Sequence, residues 1–306
     1  MDDYLANKNV DLVVTHDPQP LLIGCCNLSL KVPRILRLHI DLSSPNQNII
    51  EFLKPFIEVF EKIIVSREDY IPLWVKKNRA VTIMPAIDPL SAKNIRLPKI
   101  NAWKILNRYG IKSGSPLISQ VSRFDAFKDP IGVIESYRLA KKNISDLQLI
   151  LAGIIEAPDD PQQQNYVKEV KEYVDKESGL FVFSDVKDLC GIANDEFINA
   201  VQTASDVILQ KSLQEGFGLT VSEAMWKEKA VIGGNVGGIK LQIKNGKNGY
   251  LVNNFQEAAK LIVKLLKDNQ LRSRIGKKAK ETVREKFLMP RYILENLKIY
   301  DELLNS

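Results

Sequence analysis

Short runs rich in valine and isoleucine alternate along this chain with amphipathic stretches, and that alternation leaves few folds open. DLVVT (11–15), RILRLHI (34–40), KIIVS (62–66) and AVTIMP (80–85) read as buried strands, with helix-like stretches such as 48–62 between them. Strands separated by helices make βαβ units, and βαβ units make parallel sheets. A turn-rich stretch from Pro85 to Gly114, holding one short helix, interrupts the series and suggests a domain boundary. A second series follows. Its strands fall at 116–122, 147–153, 180–184, 206–210, 230–234 and 250–252, its helices at 130–142, 162–175, 194–203 and from Leu219, and long helical segments close the chain. The expectation is an α/β protein of two domains, 1–112 and 113–306, with the last helix packing back on the first. The second set of strands is complete. The first begins directly in a strand, and nothing upstream of Asp11 can supply the phosphate-binding turn that normally follows the first strand of a doubly wound sheet.

Composition narrows the class further. With 45% hydrophobic and 26% charged residues, the chain is neither disordered nor fibrous. The net charge of +6 resides in residues 260–306, which hold 12 Lys/Arg and 6 Asp/Glu. A nucleic-acid surface is one reading of such a tail. The stripes Leu261, Ile262, Leu265, Leu266 and Ile293, Leu294, Leu297, Leu304 favour another, helices with an apolar face inward and charges in water. Cys25, Cys26 and Cys190 form no CxxC pair, so a zinc ribbon and a disulfide framework are excluded and a reduced, cytoplasmic setting fits. The polar start MDDYLANKN does not read as a secretion signal, and LLIGCCNLSL (21–30) is too short to span a bilayer.

The chemistry-bearing motifs follow strands. Glu215-Gly-Phe-Gly-Leu-Thr-Val-Ser-Glu223 links strand DVILQ to a helix. Gly216 and Gly218 allow a sharp turn and close approach of backbone to a ligand, and the amides of a helix start favour an anion. Carboxylates would repel phosphate, so Glu215 and Glu223 suit sugar and ribose hydroxyls. Arg123 and Lys128 follow strand PLISQVS, where two cations at a strand's carboxyl end can meet phosphate. Gly237-Gly238 follows AVIGG, a third loop on the same sheet edge. The only two histidines, His16 and His39, each end a predicted strand beside an aspartate, Asp17 and Asp41, which suggests a polar pocket. A paired-carboxylate glycosidase remains open at this point, since the sequence does not give the separation of the carboxyl groups. No HExxH or DxD metal motif is found.

Together Arg123, Lys128, the Glu215–Glu223 pair and the Gly-Gly turn resemble retaining glycosyltransferases of the GT-B fold. HDPQP (16–20), RLHIDLSSPN (37–46), MPAIDPLSAKN (84–94), VSRFDAFKD (121–129) and EGFGLTVSEAMWK (215–227) are similar, more narrowly, to trehalose glycosyltransferring synthases and trehalose phosphorylases. The resemblance implies two Rossmann-like domains facing across a cleft, the N-terminal one incomplete here. It implies that Arg123 and Lys128 hold a diphosphate, that Glu215 binds the transferred glucose, and that Glu223 binds ribose. Gly216, Phe217, Gly218 and Leu219 would complete the anion site, and the loop around Leu189–Gly191 would lie near the base. His39 and Asp41, with His16 and Asp17, would line the sugar pocket. The reaction implied is NDP-glucose plus glucose to α,α-trehalose, with ADP- or UDP-glucose as donor, no tightly bound cofactor, and magnesium, if any, carried on the diphosphate. Neither nucleic acid nor membrane is an expected partner. Family members carry a Gly-rich loop upstream of the point where this sequence begins. One alternative is therefore a catalytically inactive or split-enzyme nucleotide-sugar-binding fragment that needs a separate N-terminal polypeptide; a further one is a trehalose phosphorylase, and a homodimer or that separate polypeptide are the macromolecular partners to expect.

Overall fold

Two parallel sheets organise the computed structural model, which describes residues 10–26, 31–42, 44–154 and 161–305. The chain divides into two units: the first runs to Ala86 and resumes at Met289, and the second is Ile87–Leu288. The division falls before the expected 112/113. The helix at Lys99–Leu106 buries Ala102, Trp103, Ile105 and Leu106 in the core of the second unit, so the turn-rich stretch belongs there. The start of the chain (1–9) and residues 27–30 of the apolar run lie outside the described residues.

The first unit holds β1 (Val13–His16), β2 (Arg34–Arg37), β3 (Lys62–Val65) and β4 (Ala80–Thr82), in that spatial order and all parallel. Successive side chains point to opposite faces of a strand. Leu36, Ile63 and Val65 therefore pack with Leu21 of α1 (Leu21–Cys26) and Ile57 of α2 (Gln47–Ile57), while Ile35, Ile64 and Ile83 serve the other face. Helix α2 starts where Asn46 accepts hydrogen bonds from the amides of Asn48 and Ile49. It ends at Ile57 rather than at the expected 62, because Glu61 already donates its amide to Arg34 as the chain enters β3.

In the second unit α3 (Lys99–Leu106) precedes a six-stranded parallel sheet. Its strands are β5 (Leu117–Val121), β6 (Gln148–Ala152), β7 (Leu180–Phe183), β8 (Val207–Gln210), β9 (Ala230–Gly234) and β10 (Tyr250–Val252), in the order β10-β9-β8-β5-β6-β7. Helices α4 (Pro130–Lys141), α5 (Pro161–Val174), α6 (Asn194–Ala204), α7 (Leu219–Trp226), α8 (Ile239–Gln242), α9 (Phe255–Lys267) and α10 (Asn269–Lys286) connect the strands or close the unit. The order reverses between β5 and β8. Such a switch point leaves a crevice at the carboxyl ends of the strands. Of the two basic-tail stripes, Ile262 and Leu265 of α9 are fully buried against Val133 and Tyr137 of α4.

The other stripe is corrected. Helix α11 (Met289–Leu304) packs on Ile35, Ile64 and Ile83 of the first unit through Tyr292, Ile299, Tyr300 and Leu303. Ile293, Leu294, Leu297 and Leu304, expected inward, are about half exposed. The helix carries two apolar stripes, and the one holding both tyrosines covers the sheet. No helix among the described residues is long and apolar enough to cross a membrane.

Candidate active site

At the switch point of the second unit, the loops after β5, β8 and β9 meet. Asp125 caps a single 3₁₀ turn, Ala126–Lys128, by accepting the Lys128 amide, and Asp129 then turns through a left-handed conformation (φ 50°) to cap α4. This brings the Lys128 ammonium to 2.8 Å from Oε2 of Glu215, which follows β8. The same oxygen accepts from Ser212 Oγ at 3.2 Å and lies 3.5 Å from Gln210 Nε2. All three contacts fall on Oε2. Lys211, which the sequence reading missed, is buried and forms an ion pair with Asp129, one residue beyond Lys128. A lysine in a strand-end motif gives no signal that separates burial from exposure.

The glycines shape the loop. Gly218 (φ +83°) forms the start of α7 in a region where a side chain would be strained. Gly237 lies against the Glu215 carbonyl, where a Cβ atom would come within 1.7 Å, and Gly238 donates its amide to that carbonyl at 3.0 Å. Gln242 of α8 donates to the Phe217 carbonyl at 2.6 Å, and the Phe217 ring is buried edge-on to Phe287. Gly216 joins Glu215 to this buried anchor, while Leu219 stays partly exposed at the helix start.

Glu223 sits one turn into α7 with 2% exposure. Its partner is Lys93, whose ammonium is 2.8 Å from Oε1. Nearby, burial first and then Lys93 hold the Lys227 ammonium down at about 8, against the favourable charge of Glu223. Arg123 does not join the Lys128–Glu215 pair; its guanidinium is largely exposed, 3.4 Å from Asp125. Leu189 buries its side chain in the core and gives its carbonyl to the Tyr109 hydroxyl at 2.7 Å. The loop Leu189–Gly191, with Gly191 at φ +84°, therefore offers a ligand its backbone and the exposed Cys190 thiol. That loop follows β7, two strands or about 10 Å from β5.

In the first unit, His16 closes β1, while β2 ends at Arg37, two residues short of His39. Arg37, 1% exposed, donates to the Ile83 carbonyl at 2.8 Å and so caps the sheet's carboxyl edge. Asp17, at φ 64°, bridges the two strand ends: its amide donates to Arg37 and its carboxylate accepts the His39 amide at 2.6 Å. The imidazoles stack, with His16 Nδ1 2.9 Å from His39 Nε2. Burial, then the Arg37 charge, hold His39 below the ordinary histidine range. Asp41 does not join this cluster; its hydrogen bond to Tyr70 helps burial to raise that phenol. Among the described residues no group of three or more His, Cys, Asp or Glu stands together as a metal site.

Two parallel α/β units, with a cation–carboxylate pair and a glycine-lined helix start at the switch point, define the GT-B class of glycosyltransferase. Solved structures carry the same fold. A glycosyltransferase from Rickettsia africae aligns over 100% of this chain and 80% of its own with a TM-score of 0.80 at 22% identity. Anabaena HepE, solved in complex with UDP-glucose, aligns over 96% and 79% with a TM-score of 0.79 at 20% identity. The chain belongs to the glycosyl transferases of group 1, matched over residues 101–282, and within them to the trehalose synthase family, whose N-terminal domain is matched over residues 2–72. It is 42% identical over 303 residues to trehalose synthase of Pyrococcus horikoshii, spanning 99% of this chain and 71% of that one. It is 39% identical over 301 residues to that of Rubrobacter xylanophilus, spanning 98% and 71%. Trehalose phosphorylase of Pleurotus pulmonarius is 28% identical over 281 residues, 81% of this chain and 38% of its own.

Proposed function

We propose that this chain transfers glucose from a nucleoside diphosphate donor to glucose, with retention, forming α,α-trehalose. The observation that carries the reading is the Lys128–Glu215 pair at the β5/β8 switch point. An ammonium for the diphosphate and a carboxylate for sugar hydroxyls stand within one hydrogen bond of each other. Lys128 would hold the phosphate oxygens as charge develops on them, the electrostatic role that dominates such leaving-group chemistry. Glu215 would orient the glucosyl ring, and the exposed Arg123 would leave Asp125 to reach the outer phosphate. The bond from the anomeric carbon to the diphosphate breaks. A new one forms to the acceptor oxygen, and the acceptor proton leaves with the phosphate. Within the first unit, His39 with His16 and Asp17 forms a polar cluster suited to sugar hydroxyls.

The phosphorylase reading rests on the Pleurotus relative and would use the same cations for inorganic phosphate. A buried carboxylate at Glu223 favours the nucleotide, because neutral ribose hydroxyls can donate to it whereas an anionic phosphate is repelled by it. The test is paired. UDP- or ADP-glucose with glucose should yield trehalose, and trehalose with inorganic phosphate should yield no glucose 1-phosphate. The reverse pattern would establish the phosphorylase.

A further inference from the structure

Glu223 is the carboxylate that the proposed function reserves for the ribose, yet a cation already covers it. Lys93 is 2.8 Å from its Oε1. The backbone around Lys93 is built rather than loose. Asn199 of α6 donates to the carbonyls of Ala92 at 2.9 Å and Ile95 at 3.0 Å, on either side of it. The next residue, Asn94, is buried, donates to the Asp88 carbonyl at 3.0 Å and accepts from the Lys227 ammonium at 3.2 Å. From this pinned segment the Lys93 side chain reaches Glu223 while remaining 37% exposed, against 3% for the carboxylate. A fixed root and a wet tip let the ammonium leave for solvent without moving the backbone. A second cation lies nearby: the Lys227 ammonium is 3.5 Å from the Glu223 carbonyl oxygen.

We infer that Lys93 is a tethered counter-ion on Glu223 that the ribose hydroxyls must displace, so that it sets nucleotide affinity by competition. This rests on the assignment of Glu223 to the ribose. A partly exposed ion pair is modest in strength, and its removal from the free state should tighten nucleotide by up to about fivefold.

The test is calorimetric titration of the full chain with UDP, ADP and pyrophosphate, using the native protein, Lys93→Met, Glu223→Gln and the double variant. Lys93→Met should tighten both nucleotides, leave pyrophosphate unchanged, and have no effect in the Glu223→Gln background. Lys93→Gln, which keeps a polar tip, provides the same comparison if Lys93→Met lowers the melting temperature. Unchanged or weaker nucleotide binding in the lysine variants would overturn the inference and make Lys93 a support for Glu223 instead. If Glu223→Gln itself binds nucleotide like the native chain, the ribose assignment falls, and the inference falls with it for that separate reason.

Discussion

Gly237→Ala tests whether the Gly-Gly turn fixes Glu215. The added methyl would sit 1.7 Å from the Glu215 carbonyl oxygen, where contacts below 3.0 Å do not persist, so the two segments must part by at least about 1.3 Å. Neither can yield by rotating a side chain, because the clash is with backbone. Gly237 also sits at φ +40°, so alanine adds strain of about 1–2 kcal/mol. The parting breaks or lengthens the Gly238 amide bond to the Glu215 carbonyl and drags the carboxylate from Lys128. A misplacement on the order of 1 Å at a reacting centre costs about a hundredfold in rate. The assay is kcat for trehalose formation, with a thermal melt on the same sample. The expected result is a rate near a hundredth of native in a protein still folded at the assay temperature. A rate within about twofold of native would refute the claim that this turn positions the glutamate.

Lys128→Ala should weaken UDP or ADP by about 1.5–3 kcal/mol while barely changing a nucleoside, since only the diphosphate meets the ammonium; equal losses by calorimetry would remove Lys128 from the phosphate. His39 is held below its unfolded value of about 6.5, so the unfolded chain binds the extra proton first and stability is present above that value and lost as pH falls through the lower folded one. The melting temperature should therefore drop as pH is lowered from 7.5 to 5, and less so in His39→Gln; parallel curves would exclude the pair. Ile83→Ala, beneath α11, should destabilise the first unit by about 2–4 kcal/mol in denaturant unfolding; a loss under about 0.5 kcal/mol would mean that α11 does not depend on that face.

The strands of both units were legible because buried parallel strands are written as short β-branched runs between turns, as in AVIGG and LQLILAG. The placement of Glu215 and Lys128 was legible for a related reason: both follow strand ends, on neighbouring loops of one sheet edge. Other features left no pattern. Helix α1 is six apolar residues with no period to tell it from a strand. Arg37 sits in a strand motif as any exposed cation would, and its burial follows from the Ile83 carbonyl contributed by a strand-end segment more than forty residues later. Lys93 lies in a turn-rich motif, and its partner is in α7. Only the tertiary fold joins them. Helix α11 misled because periodicity finds apolar stripes but cannot rank two of them on one helix.

Helix α11 completes the first unit only after the whole second unit has intervened. On the ribosome, Ile35, Ile64 and Ile83 emerge about 200 residues before Tyr292 and Ile299. At roughly 5–20 residues per second, that face of the sheet waits on the order of 10–40 seconds for its cover. The second unit, contiguous in sequence, can finish first. Synthesis thus favours the second unit: its sheet can mature alone, while the histidine-bearing sheet stays open on one face until α11 has been made. A nascent chain stalled before Met289 would present that isoleucine face to chaperones.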